Sequence, residues 1–193
     1  ERLLIDARGN FHREALAPTA VRDFYHRNLF GAPIPVAALF DTATAQVAVD
    51  LAQTDAYTAL SCGGSLHSNG APASFAFSLV FRPLMSALSC DELAAGLLHL
   101  VHLDNQVDVF GGWPLPPGAN VQTQAQITSL KATVDGLRVQ TRAEVRRAGL
   151  LCVEVQSTFL MRGFHCGIEL AVRRRLQRKL VLRPATPSGA AKK

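Results

Sequence analysis

Apolar and polar residues alternate with a period of two along three stretches in the second half of this 193-residue chain. A period of two is typical of strands that bury one face. The dipeptides Asp135-Gly136 and Ala148-Gly149 between the stretches suit tight turns, so the pattern predicts an antiparallel meander. The predicted strands are residues 120–131, 136–147 and 150–162. The side chains predicted to face the core are Val139, Ala143, Val155 and Phe159, and those predicted to face away are Arg138, Arg142, Glu154 and Gln156.

Upstream of the meander, apolar residues recur at helical spacing over residues 74–88, which predicts a buried helix. Residues 98–110 are predicted to form a further strand, and residues 36–60 favour helix. A short amphipathic helix is predicted to begin near Thr19, its candidate cap. A curved antiparallel sheet wrapped around one buried helix accounts for both the period of two in the strands and the helical spacing over residues 74–88. The predicted fold class is therefore α+β, with the hot-dog arrangement of a sheet around a central apolar helix.

The net charge of +5 is concentrated at the C-terminus, because eight of the 20 basic residues and no acidic residue follow Leu170. The first 169 residues carry 12 basic and 15 acidic side chains, so the basic character belongs to the tail. A basic tail suits contact with nucleic acid or an acidic protein, but a solvated linker or a contact to a neighbouring domain is the simpler interpretation. The expected organisation is a linker over residues 1–17, one lobe over 18–165 and a basic extension over 166–193.

The four cysteines form no CxxC pair and have no zinc-like spacing with histidine, so we expect no metal and no cofactor. Cys152 lies on an apolar face, as a buried free thiol would, which indicates a reducing compartment and a cytoplasmic protein. No apolar run approaches the roughly 18 residues that cross a bilayer, so no membrane partner is expected. The start of the chain lacks both Met and a signal-peptide pattern, which suggests a piece of a longer polypeptide.

Six short segments, in the same order, resemble the MaoC-like dehydratase region of fungal- and mycobacterial-type fatty acid synthases. They are Val21–Tyr25, Ala71–Phe77 with Arg82–Met85, Leu100–Asn105, Pro114–Gly118, Glu154–Gly163 and Leu176–Lys179. The resemblance extends over residues 18–183 with an interruption at 31–70. It implies the first hot-dog lobe of a 3-hydroxyacyl-thioester dehydratase region, with an acyl thioester on acyl carrier protein as substrate. It also implies contacts with neighbouring hot-dog lobes or synthase domains, and it implies no nucleic-acid partner.

Dehydration of a 3-hydroxyacyl thioester needs a base, an acid and hydrogen-bond donors at the thioester carbonyl. In the family that this chain resembles, an Asp and a His five residues apart transfer the protons. No Asp in this sequence has a His five residues further on. We therefore expect a lobe that supports the reaction by packing and by forming part of the acyl pocket. The remaining alternative is a free-standing hot-dog protein, either an acyl-thioesterase or a structural homodimer.

The candidate catalytic residues are His102 and Asp104, because strand spacing would place both side chains on one face. A purely structural role for these two residues is the competing interpretation. Asn105 and the segment Gly111-Gly112-Trp113 are the candidate substrate-binding residues, since the Trp offers apolar surface with a polar edge to an acyl chain. The same segment also suits a simple turn at the end of a strand.

Overall fold

The computed structural model describes residues 17–62 and 72–165. The predicted linker up to residue 16 and the predicted basic extension lie outside these residues. The helices and strands follow one another along the chain as α1 (Pro18–Phe30), β1 (Ala43–Ala48), α2 (Leu51–Cys62), a 3₁₀ turn (Ala73–Phe75), α3 (Ala76–Leu88), a second 3₁₀ segment (Ala94–His99), β2 (Leu100–Val109), β3 (Asn120–Thr133), β4 (Gly136–Arg147) and β5 (Leu150–Arg162).

The strands form one antiparallel sheet in the order β1-β3-β4-β5-β2. The meander β3-β4-β5 lies in the middle of the sheet, and the predicted bounds of β4 and β5 are confirmed. The two remaining strands form the edges. Of these, β2 is the longer, with ten residues against six in β1.

The apolar helix α3 packs against the inner face of the sheet, mainly on β3 and also on β1, β4 and β5. Its side chains Val80, Leu84 and Leu88 are fully buried among the core residues of the strands. The predicted central helix and the predicted α+β hot-dog arrangement are therefore confirmed. Phe77 and Phe81, on the flank of α3, are only half-buried.

The turns of the meander explain why glycine occupies two of its positions. Gly136 has a φ of +139°, and a Cβ added there would lie 2.1 Å from the carbonyl oxygen of Met161. Any larger residue would therefore force β4 away from β5. Ala148 and Gly149 both adopt positive φ, at 49° and 81°, a combination that matches the twist of a two-residue hairpin turn.

Three predictions about the fold need correction. Residues 43–48 form strand β1 rather than helix, because the segment pairs with β3 and so completes the sheet edge. The predicted strand over 98–110 begins only at Leu100, since a 3₁₀ segment extends to His99. Helix α1 begins at Pro18 and has no side-chain cap, so Thr19 is not its cap. Its first position suits proline, which has no N–H group to leave unpaired.

Glu154 faces outward as predicted, but it is nearly buried there. Val139, Ala143, Val155 and Phe159 are buried as predicted, and Arg138, Arg142 and Gln156 are exposed. Glu154 alternates with them toward the outer face but is only 8% exposed. Its carboxylate accepts a hydrogen bond from Arg142 at 2.6 Å, and Arg142 and Arg146 both pair with Glu144. An ion-pair network therefore covers the outer face of the sheet at this point.

Two further expectations can be compared with the described residues. Cys152 is a buried free thiol, as predicted, and so is Cys90. Burial raises the pKa of the Cys90 thiol to about 12, with a further contribution from Glu92. Within residues 17–62 and 72–165, no helix is long and apolar enough to cross a membrane.

Candidate functional site

The edge strand β2 contains a bulge at the point where the candidate catalytic residues lie. His102 is opposite Phe159 of β5, whereas Asp104 is opposite Thr158, so one residue of β2, Leu103, has no partner of its own. An extra residue on one strand shifts every later side chain of that strand to the other face. The bulge therefore decides which polar groups of β2 come together.

Residues directly opposite each other on antiparallel strands share a face. His102 lies opposite the buried Phe159, and Asn105 lies opposite the buried Ser157, so both side chains are on the core face of β2. Asp104 lies opposite Thr158 and is on the outer face. The prediction that His102 and Asp104 share a face is wrong, because an unbroken strand was assumed.

The imidazole of His102 is stacked on two phenyl rings. The ring of Phe77, from α3, lies 5.1 Å away at an interplanar angle of 10°. The ring of Phe159, from β5, lies 4.8 Å away at 21°. His102 is nevertheless exposed. The two rings fix the plane of the imidazole and leave the nitrogen atoms at its edge to make polar contacts.

Nε2 of His102 is held by two oxygen atoms of its own strand. It lies 2.9 Å from Oδ1 of Asn105 and 3.0 Å from the backbone carbonyl oxygen of Asp104. Oδ1 of Asn105 also accepts a hydrogen bond from the hydroxyl group of Ser157. The contribution of Asp104 to this cluster is its carbonyl group and not its carboxylate.

The carboxylate of Asp104 has a different environment. It lines a polar depression of about 380 Å³ on the outer face of the sheet, together with Gln106, Arg142, Glu154 and Gln156. Next along the strand, Gln106 donates hydrogen bonds to the carboxylate of Asp108. This depression presents charged and amide groups but does not contain the imidazole of His102.

The other candidate substrate-binding residues lie at the far end of β2. Gly111 follows His102 by nine residues, which corresponds to about 30 Å along a strand. Gly111 and Gly112 line an apolar depression of about 530 Å³ beside the β4–β5 turn and Cys152. Trp113 is half-buried and packs against the core. The structure therefore brings Asn105 to His102 but does not bring Gly111, Gly112 or Trp113 to it.

Sequence reasoning missed Ser157, Phe77 and Phe159 as neighbours of His102. The apolar pattern of β2 does not reveal the bulge, because Val101, Leu103, Val107 and Val109 keep one parity across it. The residues of β2 that pack toward the core have even numbers before it (Leu100, His102) and odd numbers after it (Asn105, Val107). This change of parity, which marks an inserted residue, is visible only in the pairing of β2 with β5.

The fold, an antiparallel sheet around a buried apolar helix, is that of a hot-dog lobe. No protein-family model matches the chain. The sequence is 31% identical over 121 residues to the fatty acid synthase subunit beta of Schizosaccharomyces pombe, a match that covers 63% of this chain and 6% of that protein. It is 35% identical over 91 residues to the fatty acid synthase beta subunit TOXC of Cochliobolus carbonum, covering 47% of this chain and 4% of that protein. The predicted resemblance to fungal-type synthases is thereby confirmed.

A solved structure provides an independent comparison for the fold alone. The crystal structure of HtdX of Mycobacterium tuberculosis matches with a TM-score of 0.56 at 22% identity, over 63% of this chain and 51% of that chain. The chain thus spans about half of this structural neighbour, and only a small part of the synthase subunits that it matches in sequence.

Proposed function

We propose that this chain is a hot-dog lobe of the 3-hydroxyacyl-thioester dehydratase region of a multifunctional, cytoplasmic fatty acid synthase. Its substrate would be an acyl thioester carried on acyl carrier protein. The observation that carries the proposal is the 31% identity to a fatty acid synthase subunit beta over 121 residues. The fold alone would suit a thioesterase or a structural homodimer equally well, so the sequence relatives favour the synthase.

The lobe supports the reaction and does not supply both proton-transfer groups. No Asp in the sequence has a His five residues further on. Among the described residues, no carboxylate contacts the imidazole of His102, because the bulge directs Asp104 to the outer face. A single histidine held by neutral oxygen atoms suits contact with the substrate. The acid–base pair therefore comes from another lobe of the same assembly.

The free edge of β2 is the surface on which that other lobe would pack. In the described part of the chain β2 pairs with β5 only, so the backbone groups along its other edge have no strand partner. Val101, Leu103, Val109 and Phe110 are exposed at this edge. An exposed edge strand with apolar side chains favours pairing with a second strand. A neighbouring lobe placed there would bring its own polar groups close to His102.

Gly111, Gly112 and Trp113 are assigned to the turn that ends β2. Gly112 has a φ of +90°, a conformation that glycine adopts without strain. A Cβ added there would meet Sγ of Cys152 at 3.4 Å. Because the segment lies about 30 Å along the strand from His102, it would not line the same acyl pocket within one lobe.

The proposal is tested by measuring the hydration of a crotonyl thioester, first with the 193-residue chain and then with the intact synthase polypeptide. We expect no useful turnover from the chain alone, since a missing acid–base pair removes about a hundred- to ten-thousandfold in rate. Turnover is expected from the intact polypeptide. Clear turnover by the chain alone, abolished by His102→Ala, would contradict the supporting role and would make His102 the catalytic base.

A further inference from the structure

The contacts of His102 determine which of its two nitrogen atoms carries the proton in the neutral imidazole. A peptide carbonyl oxygen can only accept a hydrogen bond. Since Nε2 lies 3.0 Å from the carbonyl oxygen of Asp104, Nε2 must be the protonated nitrogen. No hydrogen bond from the described residues reaches Nδ1, which keeps its lone pair.

Asn105 strengthens this assignment through its own partner. Its Oδ1 accepts from the Ser157 hydroxyl group and lies 2.9 Å from Nε2 of His102. The reversed amide would direct an N–H group at Nε2, which already points its own proton at the two neighbouring oxygen atoms. The orientation with Oδ1 toward His102 is therefore the one consistent with the Asp104 carbonyl group. If Nε2 were unprotonated, its lone pair would face two oxygen atoms with no proton between them, an unfavourable arrangement.

We propose that Asn105 and Ser157 are positioning residues that hold His102 as the Nε2–H tautomer, so that Nδ1 accepts a hydrogen bond from the 3-hydroxyl group of an acyl thioester. The identity of the ligand rests on the proposed function, whereas the tautomer does not. Stacking on the rings of Phe77 and Phe159 favours the observed plane of the imidazole. Nδ1 is the one polar atom of this imidazole left for a ligand among the described contacts.

The tautomer is tested by ¹⁵N NMR of the imidazole in the 193-residue chain at about pH 8, where an ordinary histidine is neutral. We expect Nε2 to show the chemical shift of a protonated nitrogen and Nδ1 that of an unprotonated one. Asn105→Leu should move both chemical shifts toward those of a mixture of the two neutral tautomers, and Ser157→Ala should do so to a smaller extent. Asn105→Asp, which keeps the acceptor oxygen, should retain the Nε2–H tautomer.

The amide spectrum of β3 and β4 shows in each variant whether the sheet is still folded. Protonation of Nδ1 in the unmodified chain would overturn the proposal. So would identical shifts in the unmodified chain and a folded Asn105→Leu variant, because Asn105 would then have no influence on the tautomer.

The ligand is tested in the intact synthase polypeptide with His102→Phe, which keeps an aromatic ring against Phe77 and Phe159 but removes both nitrogen atoms. We expect KM for a 3-hydroxyacyl thioester to rise about three- to tenfold, the range for loss of one hydrogen bond. KM for the matching enoyl thioester, which has no hydroxyl group, should change less than twofold. Equal changes for the two substrates would overturn the assignment of the hydroxyl group. Absence of dehydratase activity in the unmodified polypeptide would instead contradict the proposed function, and the NMR result would stand.

Discussion

The hairpin β4–β5 and the edge strand β2 lie side by side in one sheet but are built differently. Residues of β4 and β5 pair over twelve positions, and the inner face is apolar along most of that length. Strand β2 is mostly exposed, alternates less regularly and contains an extra residue at Leu103. The hairpin also contains an extra residue, Cys152, but near its turn, so β2 is distinguished by its exposure and by a bulge beside His102. The bulge matters because it replaces an Asp by an Asn as the side-chain partner of His102.

The largest effect is expected from Phe159→Ala, which removes a ring that both regions share. Phe159 is 4% exposed, and its ring contacts the imidazole of His102. We expect the free energy of unfolding to fall by about 3–5 kcal/mol, as for other buried phenylalanines. Urea denaturation measures this value. Phe110→Ala, at a ring that is 46% exposed beyond the end of β2, is the matched control and should lose less than half as much. A loss below about 1 kcal/mol for Phe159→Ala would show that the register is wrong.

Deletion of Leu103 tests the bulge directly. Without the extra residue, His102, Asp104 and Asn105 become consecutive and alternate regularly opposite β5, so His102 and Asn105 should both still face the core. We expect a loss of about 1–3 kcal/mol in stability, in the usual range for a disturbed local structure. Nuclear Overhauser contacts between His102 and Phe159 and between Asn105 and Ser157 should therefore both persist. Loss of either set in a folded deletion variant would contradict the bulge, because in an unbroken strand the deletion would turn one segment over. Leu103→Ala, which keeps the chain length, is the control and should retain both.

A smaller effect on the free energy of unfolding is expected from the ion pairs on the outer face of β4 and β5. Glu144 pairs with Arg142 at 3.3 Å and with Arg146 at 2.8 Å, and it accepts a hydrogen bond from Gln124. Both arginine side chains are partly exposed, so Glu144→Gln should lower stability by only about 1 kcal/mol, and by less at high salt. Gln156→Ala on the same face should lie within about 0.5 kcal/mol of the unmodified chain. A salt-independent loss above about 3 kcal/mol would show that the network contributes more than its exposure suggests.

The smallest effect at neutral pH is expected at a second histidine, His26, which differs from His102 in being 1% exposed. Its Nε2 contacts Oγ of Ser89, and its Nδ1 accepts from the backbone N–H of Ile34. Burial lowers the pKa of His26, and Arg22 lowers it further, against an opposing effect of Asp23. The folded chain therefore binds fewer protons at this site than the unfolded chain does.

Stability should consequently be full above about pH 6.5 and should decrease as the pH falls from there toward the lowered folded-state pKa. Chemical denaturation across this pH range tests the prediction. His26→Gln should weaken the pH dependence although it also reduces stability. A pH dependence that was identical in the folded variant would contradict a role for His26.

The sequence predicted the meander well because local and tertiary preferences agree there. Val139 and Phe159 lie opposite each other on the inner face, and Gly136 and Gly149 occupy turns that require positive φ. Strand β1 was missed because its alternating apolar residues include Ala43 and Ala45, and alanine favours helix in isolation. Pairing of Ala43 with Ala125 of β3, a contact distant in sequence, decides the outcome.

The candidate site was predicted only in part. His102 and Asn105 were both singled out, but their contact depends on a bulge that an assumption of strict alternation hides. The ring of Phe77, on α3, contacts the imidazole of His102, and no local pattern in the sequence predicts a contact between these two elements. The grouping of Gly111 with His102 failed for a simpler reason, since nine residues of extended chain separate them by about 30 Å.

The most direct test of the central claim compares two variants of β2 in the intact synthase polypeptide. His102→Ala changes the core face of the bulged strand, and Gln106→Ala changes the outer face four residues further on. Both residues are exposed, so neither substitution should unfold the lobe. We expect kcat/KM for dehydration of a 3-hydroxyacyl thioester to fall about three- to tenfold in His102→Ala and to stay within twofold in Gln106→Ala. Equal kcat/KM values in the two folded variants would contradict the claim that this lobe contributes His102 to the dehydratase site.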